Sequence, residues 1–170
     1  MIQNLNEDHW KPIKSNEIIK IIGDCSGLYL EAVAENQQAT RGTNLKVKLE
    51  AINRSSIPME ITSIKTNENA NVLTKPLALK NNISNSLTID MPLSQNTDFT
   101  QPYWLKEKAT VGMYVVNEQT IIGTPDVIRQ IKVTFNIVIN NTTFPFERTV
   151  IYKYNDRVKG EVYNPFDVVP

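Results

Sequence analysis

The chain is poor in the residues on which most enzyme chemistry is built. It holds one histidine, His9, and one cysteine, Cys25. A hydrolytic triad usually passes its proton through histidine, because imidazole titrates near neutral pH. His9 stands in a polar N-terminal stretch, ahead of any apolar pattern. Cys25 forms no internal disulfide by itself, and as a nucleophile it needs a base beside it. It falls on the apolar side of an expected helix and is read as a small buried hydrophobe. A zinc centre draws three or four ligands from Cys, His and carboxylates, and one of each of the first two is a thin supply. Six glycines, spread singly, build neither a phosphate loop nor a dinucleotide fingerprint. No metal or other cofactor is expected.

Excess charge is missing too. Lys plus Arg and Asp plus Glu number 18 each, for a formal net charge of zero. A nucleic-acid binder carries a basic stripe, whereas Lys46 and Lys48 alternate with Val47 and Leu49 as the wet face of a strand does. No nucleic acid is expected as a partner. No run approaches the roughly 18 apolar residues of a membrane helix, so no membrane span is expected. Residues 1–17 are polar, and Ile18–Ile22 is broken by Lys20 and followed by Asp24, so no secretory signal is read there. The N-x-[ST] matches at Asn53, Asn82, Asn140 and Asn141 are chance matches in an Asn-rich chain.

What is present is a β pattern. A length of 170 residues suits one domain, or one domain with an appendage, and such a chain buries about 70% of its unfolded surface. Ser15 reads as an N-cap, Glu17 suits the first helical turn, and Ile18, Ile21, Ile22 and Cys25 follow helical spacing up to a stop at Gly27. A short amphipathic helix is expected over about 16–25, within a linker-and-helix segment 1–27. From Leu28 the period changes to two. "LYLEAVAE", "LKVKLEAIN", "MEITSIKT" and "SLTIDMPL" alternate, and "VGMYVV" and "TIIG" are short candidate strands. "IKVTFNIVIN" and "FPFERTVIYKY" read as a hairpin turning at Asn140 and Asn141. "GEVYNPFDVVP" is a last strand broken by Pro165, and Pro76 marks an edge or loop. The expectation is an all-β fold: an elaborated immunoglobulin-like antiparallel β-sandwich over 28–170 with a short N-terminal helix.

Chemistry is hard to place on this frame. The carboxylates Glu60, Asp90, Asp98, Glu107, Glu118, Asp126, Glu147, Asp156, Glu161 and Asp167 lie in no acid–base or calcium-loop motif, and Glu60 and Glu147 sit at solvent-face positions. The densest feature is "FTQPYWL" at 99–105. Tyr103 and Trp104 offer faces on which a sugar ring stacks, and Gln101, Lys106 and Glu107 offer partners for its hydroxyls. The same aromatics can instead fill a core, or meet a neighbouring domain.

Three stretches carry a resemblance. "GLYLEAVAENQQATRGTNLKVKLEAINRSSIPMEI" resembles the opening of an immunoglobulin-like accessory domain. "FTQPYWLKE…VGMYVV" and "VIYKYNDRVKGEVYNPFDVVP" resemble segments downstream of the catalytic domain in large bacterial proteins of the PIG-L/LmbE family, the N-acetylglucosaminyl deacetylases. That family's zinc site is built on an "HPDDE"-type motif and a later histidine. Neither is here, so no catalytic residue carries over. The resemblance implies a non-catalytic module that positions a neighbouring catalytic domain or its substrate, in a periplasmic or extracellular protein. A glycan-binding module and an independent cell-surface interaction domain stand as alternatives.

Overall fold

The computed structural model describes residues 9–67, 71–124 and 127–170; the first eight residues of the polar lead, residues 68–70 and residues 125–126, with the carboxylate candidate Asp126, lie outside them. A helix α1 (Trp10–Cys25) precedes the strands β1 (Leu28–Ala34), β2 (Gln38–Thr40), β3 (Asn44–Asn53), β4 (Met59–Lys65), β5 (Leu77–Leu79), β6 (Ser84–Pro92), β7 (Lys132–Ile139), β8 (Thr142–Thr149), β9 (Ile151–Asp156), β10 (Gly160–Pro165) and β11 (Asp167–Val169). One sheet has the order β10-β9-β1-β3-β6 and another β5-β4-β7-β8, while β11 and β2 form a separate ribbon. The fold is mainly β and sandwich-like.

Alternation makes the core. Leu45, Val47, Leu49 and Ala51 of β3 are buried while Lys46 and Lys48 are exposed, and Val133, Phe135, Ile137 and Ile139 do the same on β7. Residues of both large sheets join one apolar cluster, completed by Phe146, Val150, Phe166 and Val168. Glu60 and Glu147 point to solvent. Asn140 and Asn141, at φ 48 and 63, supply the two left-handed residues of a tight turn between β7 and β8.

Asn53 ends β3 inside the core, and every arm of its amide is used. Nδ2 donates to the carbonyls of Ile57 (2.8 Å) and Leu79 (3.2 Å), while Oδ1 accepts from the Ser55 N–H and hydroxyl, both at 2.9 Å. The amide thereby ties the β3–β4 turn to β5, and it is satisfied, as a buried polar group must be.

Several expectations are corrected. The pairing is not wholly antiparallel: β1 runs parallel to β9, and β2 to β11. "FPFERTVIYKY" is two strands, because the chain changes sheet at the buried Val150, whose N–H bonds the Ile131 carbonyl at 2.9 Å. The terminal stretch breaks at the buried Phe166, one residue past Pro165. "VGMYVV" and "TIIG" are not strands; they hold a single isolated bridge, Thr110–Met113, and a 3-10 turn at Gln119–Ile121. Val111, Met113 and Tyr114 are exposed, so that stretch has no sheet to join. Gln38–Thr40, inside a polar stretch, does form a strand, because β11 reaches it.

The helix is longer than expected and turned differently. It begins at Trp10, with Ser15 inside it. Pro12 falls in its first turn, where a proline's missing N–H has no partner to lose. Ile19 and Ile22 pack on the core, and Gly23 and Ser26 are buried. Ile18, Ile21 and Cys25 face outward, so Cys25 is exposed rather than buried. Gly23 selects this orientation: a Cβ there would lie 2.9 Å from the Phe146 ring, so only glycine lets α1 settle on β8 so closely.

Gly23→Leu is therefore expected to cost about 1–3 kcal/mol by overpacking. Amide exchange should quicken through α1 while β3 keeps its protection. Wild-type protection throughout α1 would remove the close approach as the docking constraint.

Candidate functional site

The stretch that carries the candidate residues is fastened to the sandwich at two points. Thr100 donates its N–H to the Val168 carbonyl (2.9 Å), and its hydroxyl accepts the Val168 N–H (2.8 Å). Arg129 holds the Phe166 carbonyl (3.2 Å) and pairs with Asp167. Next to the first clasp Phe99 packs on the core edge, with the Arg41 guanidinium 3.4 Å from its ring centre. Arg41 Nε is buried with no hydrogen-bond partner among the described residues, so its charge leans on the ring.

Asp98 organises the loop around it. Its Oδ2 accepts from Lys106 Nζ at 2.7 Å and from Gln130 Nε2 at 3.3 Å. These hydrogen bonds, Lys106 first, hold its carboxyl below the usual range, and the Lys106 ammonium is raised in return. Pro102 then sets up a 3-10 turn at Tyr103–Leu105. The Tyr103 and Trp104 rings meet edge to face, 4.9 Å apart at 88°, and the Gly123 N–H donates to Tyr103 Oη at 3.1 Å.

Three of the five expected site residues come together. Tyr103, Lys106 and Glu107 line a cavity of about 200 Å³ with Asn117, Glu118 and Ile121. Gln101 and Trp104, both half-buried, do not line it. Asn117 was invisible as a site residue because it stands in a short polar link, "NEQ", far from "FTQPYWL" in sequence, and Glu118 was one of the carboxylates that lie in no motif. Asp98 stood only as one carboxylate among ten.

Two other polar places bear on function. A groove of about 420 Å³ separates α1 from β8, lined by Asn16, Lys20, Asp24, Phe146, Glu147 and Arg148. Arg148 is already engaged there: Nε bonds the Leu30 carbonyl (3.1 Å) and Nη1 that of Glu147 (2.8 Å), and burial draws its guanidinium below the ordinary value. On the five-stranded sheet, buried Glu31 accepts from Lys153 Nζ at 2.8 Å, Lys153 reaches Glu161 at 3.6 Å, and Tyr163 Oη donates to Glu161 at 2.8 Å. Burial and then the Glu31 charge push the Tyr29 phenol up to about 12. This chain of contacts pins β9 and β10 to β1.

His9 and Cys25 lie at opposite ends of α1, about 24 Å apart at 1.5 Å per residue, so they form no catalytic pair. Among the described residues no three His, Cys, Asp or Glu side chains are grouped to hold a metal ion. No helix there is long and apolar enough to cross a membrane.

No family model matches the chain, and no curated protein matches it. Among solved structures, the Pseudomonas fluorescens alkylpurine DNA glycosylase AlkC, bound to DNA containing an abasic-site analogue, is similar over 78% of this chain and 32% of its own, at 7% identity and a TM-score of 0.28. The chain thus spans about a third of AlkC, and a likeness that slight carries no argument about fold or activity.

The Asp98–Lys106 contact predicts a pH response. A carboxyl held low when folded adds stability that is present above its unfolded pKa, about 4, and is lost as pH falls through the lower folded value. In a Trp10→Phe background, Trp104 emission should be steady above pH about 5 and shift as the solution is acidified below about 4. Asp98→Asn should show the acid-form signal at every pH. An unchanged titration in that variant would detach the response from Asp98.

Proposed function

We propose that this chain is a non-catalytic accessory module, an immunoglobulin-like β-sandwich that works beside a carbohydrate-active deacetylase domain of the PIG-L/LmbE kind and positions that domain or its substrate. One observation carries the reading. The inner side of α1 packs on the sandwich, and its outer side leaves Trp10 (49%), Ile18 (40%) and Ile21 (58%) exposed around the Lys14–Glu17 ion pair. Large apolar side chains exposed together among polar ones mark an interaction surface. The immunoglobulin-like assignment is supported by strand order, with β1-β3-β6 facing β5-β4-β7-β8 through Greek-key crossings. The deacetylase link and a periplasmic or extracellular location rest on the resemblance of the quoted stretches.

The test uses a parent polypeptide in which a catalytic domain accompanies the module. Deleting residues 28–170 should lower deacetylation of both soluble and polymeric substrate, and Ile21→Lys should reproduce the loss. The same substitution in the isolated module should change its stability by under about 0.5 kcal/mol, as at other exposed sites. Full activity after the deletion on both substrates would end this reading.

A second reading, glycan binding, is favoured by the cavity beside Tyr103. Titration with chitin-type or peptidoglycan fragments should shift Trp104 emission in the Trp10→Phe protein. Tyr103→Ala and Glu107→Gln should each weaken binding about tenfold, the cost of one lost stacking or charged hydrogen-bond contact. No response to either fragment class would eliminate it.

A further inference from the structure

A sheet edge is a row of unpaired N–H and C=O groups, and proteins usually blunt it. Three of the four edges of the two large sheets are blunted. β5 is three residues long, β8 carries Pro145 and lies against α1, and β10 carries Glu161 and ends in Pro165. β6 is different. It pairs with β3 without a register shift from Ser84 to Pro92, and nothing among the described residues pairs with its other side. From Ser84 to Ile89 it holds no charge and no proline.

The direction of its free groups can be worked out. Leu93 gives its N–H to Thr43 (2.9 Å), and Pro92, which has no N–H, is paired with Asn44. In an antiparallel ladder hydrogen-bonded pairs alternate, so Ser84, Ser86, Thr88 and Asp90 turn their backbone groups outward. Beside this edge the sandwich is open. Leu49, Ala51, Ile61, Leu73, Leu77 and Leu87 line an apolar cavity of about 120 Å³. Leu87, in register with the buried Leu49, is still 37% exposed. A dry cavity of about 150 Å³ accepts benzene, so this one has room for an aliphatic side chain.

The surroundings are cationic. Lys75 and Lys80 are exposed on either side of Leu77, and Lys46 and Lys48 are exposed on β3. Two carboxylates stand among these four lysines: Asp90, in register with Lys46, and Glu50, which lines the cavity and accepts from the Ser84 hydroxyl at 2.6 Å.

We propose that the β6 edge and the cavity beside it receive an extended acidic polypeptide segment, which adds as a further strand and places one aliphatic side chain in the cavity. Backbone hydrogen bonds supply the affinity and the cavity the specificity, the usual division in strand addition. A second copy of this chain is a poorer occupant. It would set lysines against lysines, and its own β6 offers a single acidic residue.

The test is an NMR titration with a capped peptide of about seven residues that alternates glutamate with valine and leucine, alongside its lysine counterpart. The acidic peptide should move resonances of Ser84–Asp90, Leu73 and Leu77 and slow amide exchange at Ser86 and Thr88. Thr88→Pro removes an outward N–H without touching the β3 ladder, so it should keep the wild-type melting curve and weaken binding about tenfold or more. Should that variant unfold, Lys75→Glu with Lys80→Glu provides an independent arm, expected to reverse the preference toward the lysine peptide. The proposal is overturned by no β6 response at about 1 mM peptide, by equal binding of the two peptides to the wild type, or by self-association of the wild type through β6 at the same concentration.

Discussion

The opposed apolar faces of β3 and β7 are the constraint on which the rest of this molecule depends. Each strand buries every second side chain, and the two sets meet in one cluster. Two sheets stacked about 10 Å apart fill most of the space between them with side chains and leave little for water. Every passage of the chain from one sheet to the other must therefore satisfy its own polar groups. Asn53 does this where β3 gives way to β4, with four hydrogen bonds from one amide. The Val150 N–H does it where β8 gives way to β9. Both are buried, and each fixes where a strand stops.

The same constraint explains the additions around the sandwich. β9 and β10 extend the five-stranded sheet past β1, where the four-stranded sheet has no strand to cover them. They are held instead by Glu31, Lys153, Glu161 and Tyr163 on the sheet surface. The buried Glu31 carboxylate is tolerated there because the Lys153 ammonium pairs with it. α1 covers the β8 flank, and Gly23 lets it come near enough to count as part of the core. The β6 edge and the outer side of α1 stay uncovered among the described residues.

The sequence was legible where one face of an element is buried and the other is wet. β3 alternates strictly and was readable to within a residue, and the Asn140–Asn141 turn was readable because only a few residue types accept positive φ. It was misleading where both faces are apolar. Ile18, Ile19, Ile21 and Ile22 fit two helical stripes equally well, and the choice between them was made by the space at Gly23, a tertiary fact. It was nearly silent from Leu93 to Gln130, where hydrogen bonds between distant residues replace periodicity. Asp98 meets Gln130 across 32 positions, and Tyr103 meets Gly123 across 20. No local pattern announces such pairs. Strand order was equally out of reach, because the parallel pairing of β1 with β9 joins segments far apart in the chain.

The loop cavity also has less polar capacity than its composition suggests. Lys106 looks like a donor for a ligand hydroxyl, yet its ammonium lies 2.7 Å from Asp98. Tyr103 looks like a stacking face, but its ring is already in an edge-to-face contact with Trp104 and its oxygen already accepts from Gly123. Among the described residues no hydrogen bond engages the side chains of Glu107 or Asn117, while Glu118 accepts from the Thr120 hydroxyl at 2.7 Å. A ligand here would meet two carboxylates, one amide and a phenol that can still donate. That set suits a hydroxyl-rich group of modest size and suits an anion badly. The aromatic cluster in "FTQPYWL" is thus first a fastening: it closes a turn, and Asp98 and Gly123 anchor that turn from either side.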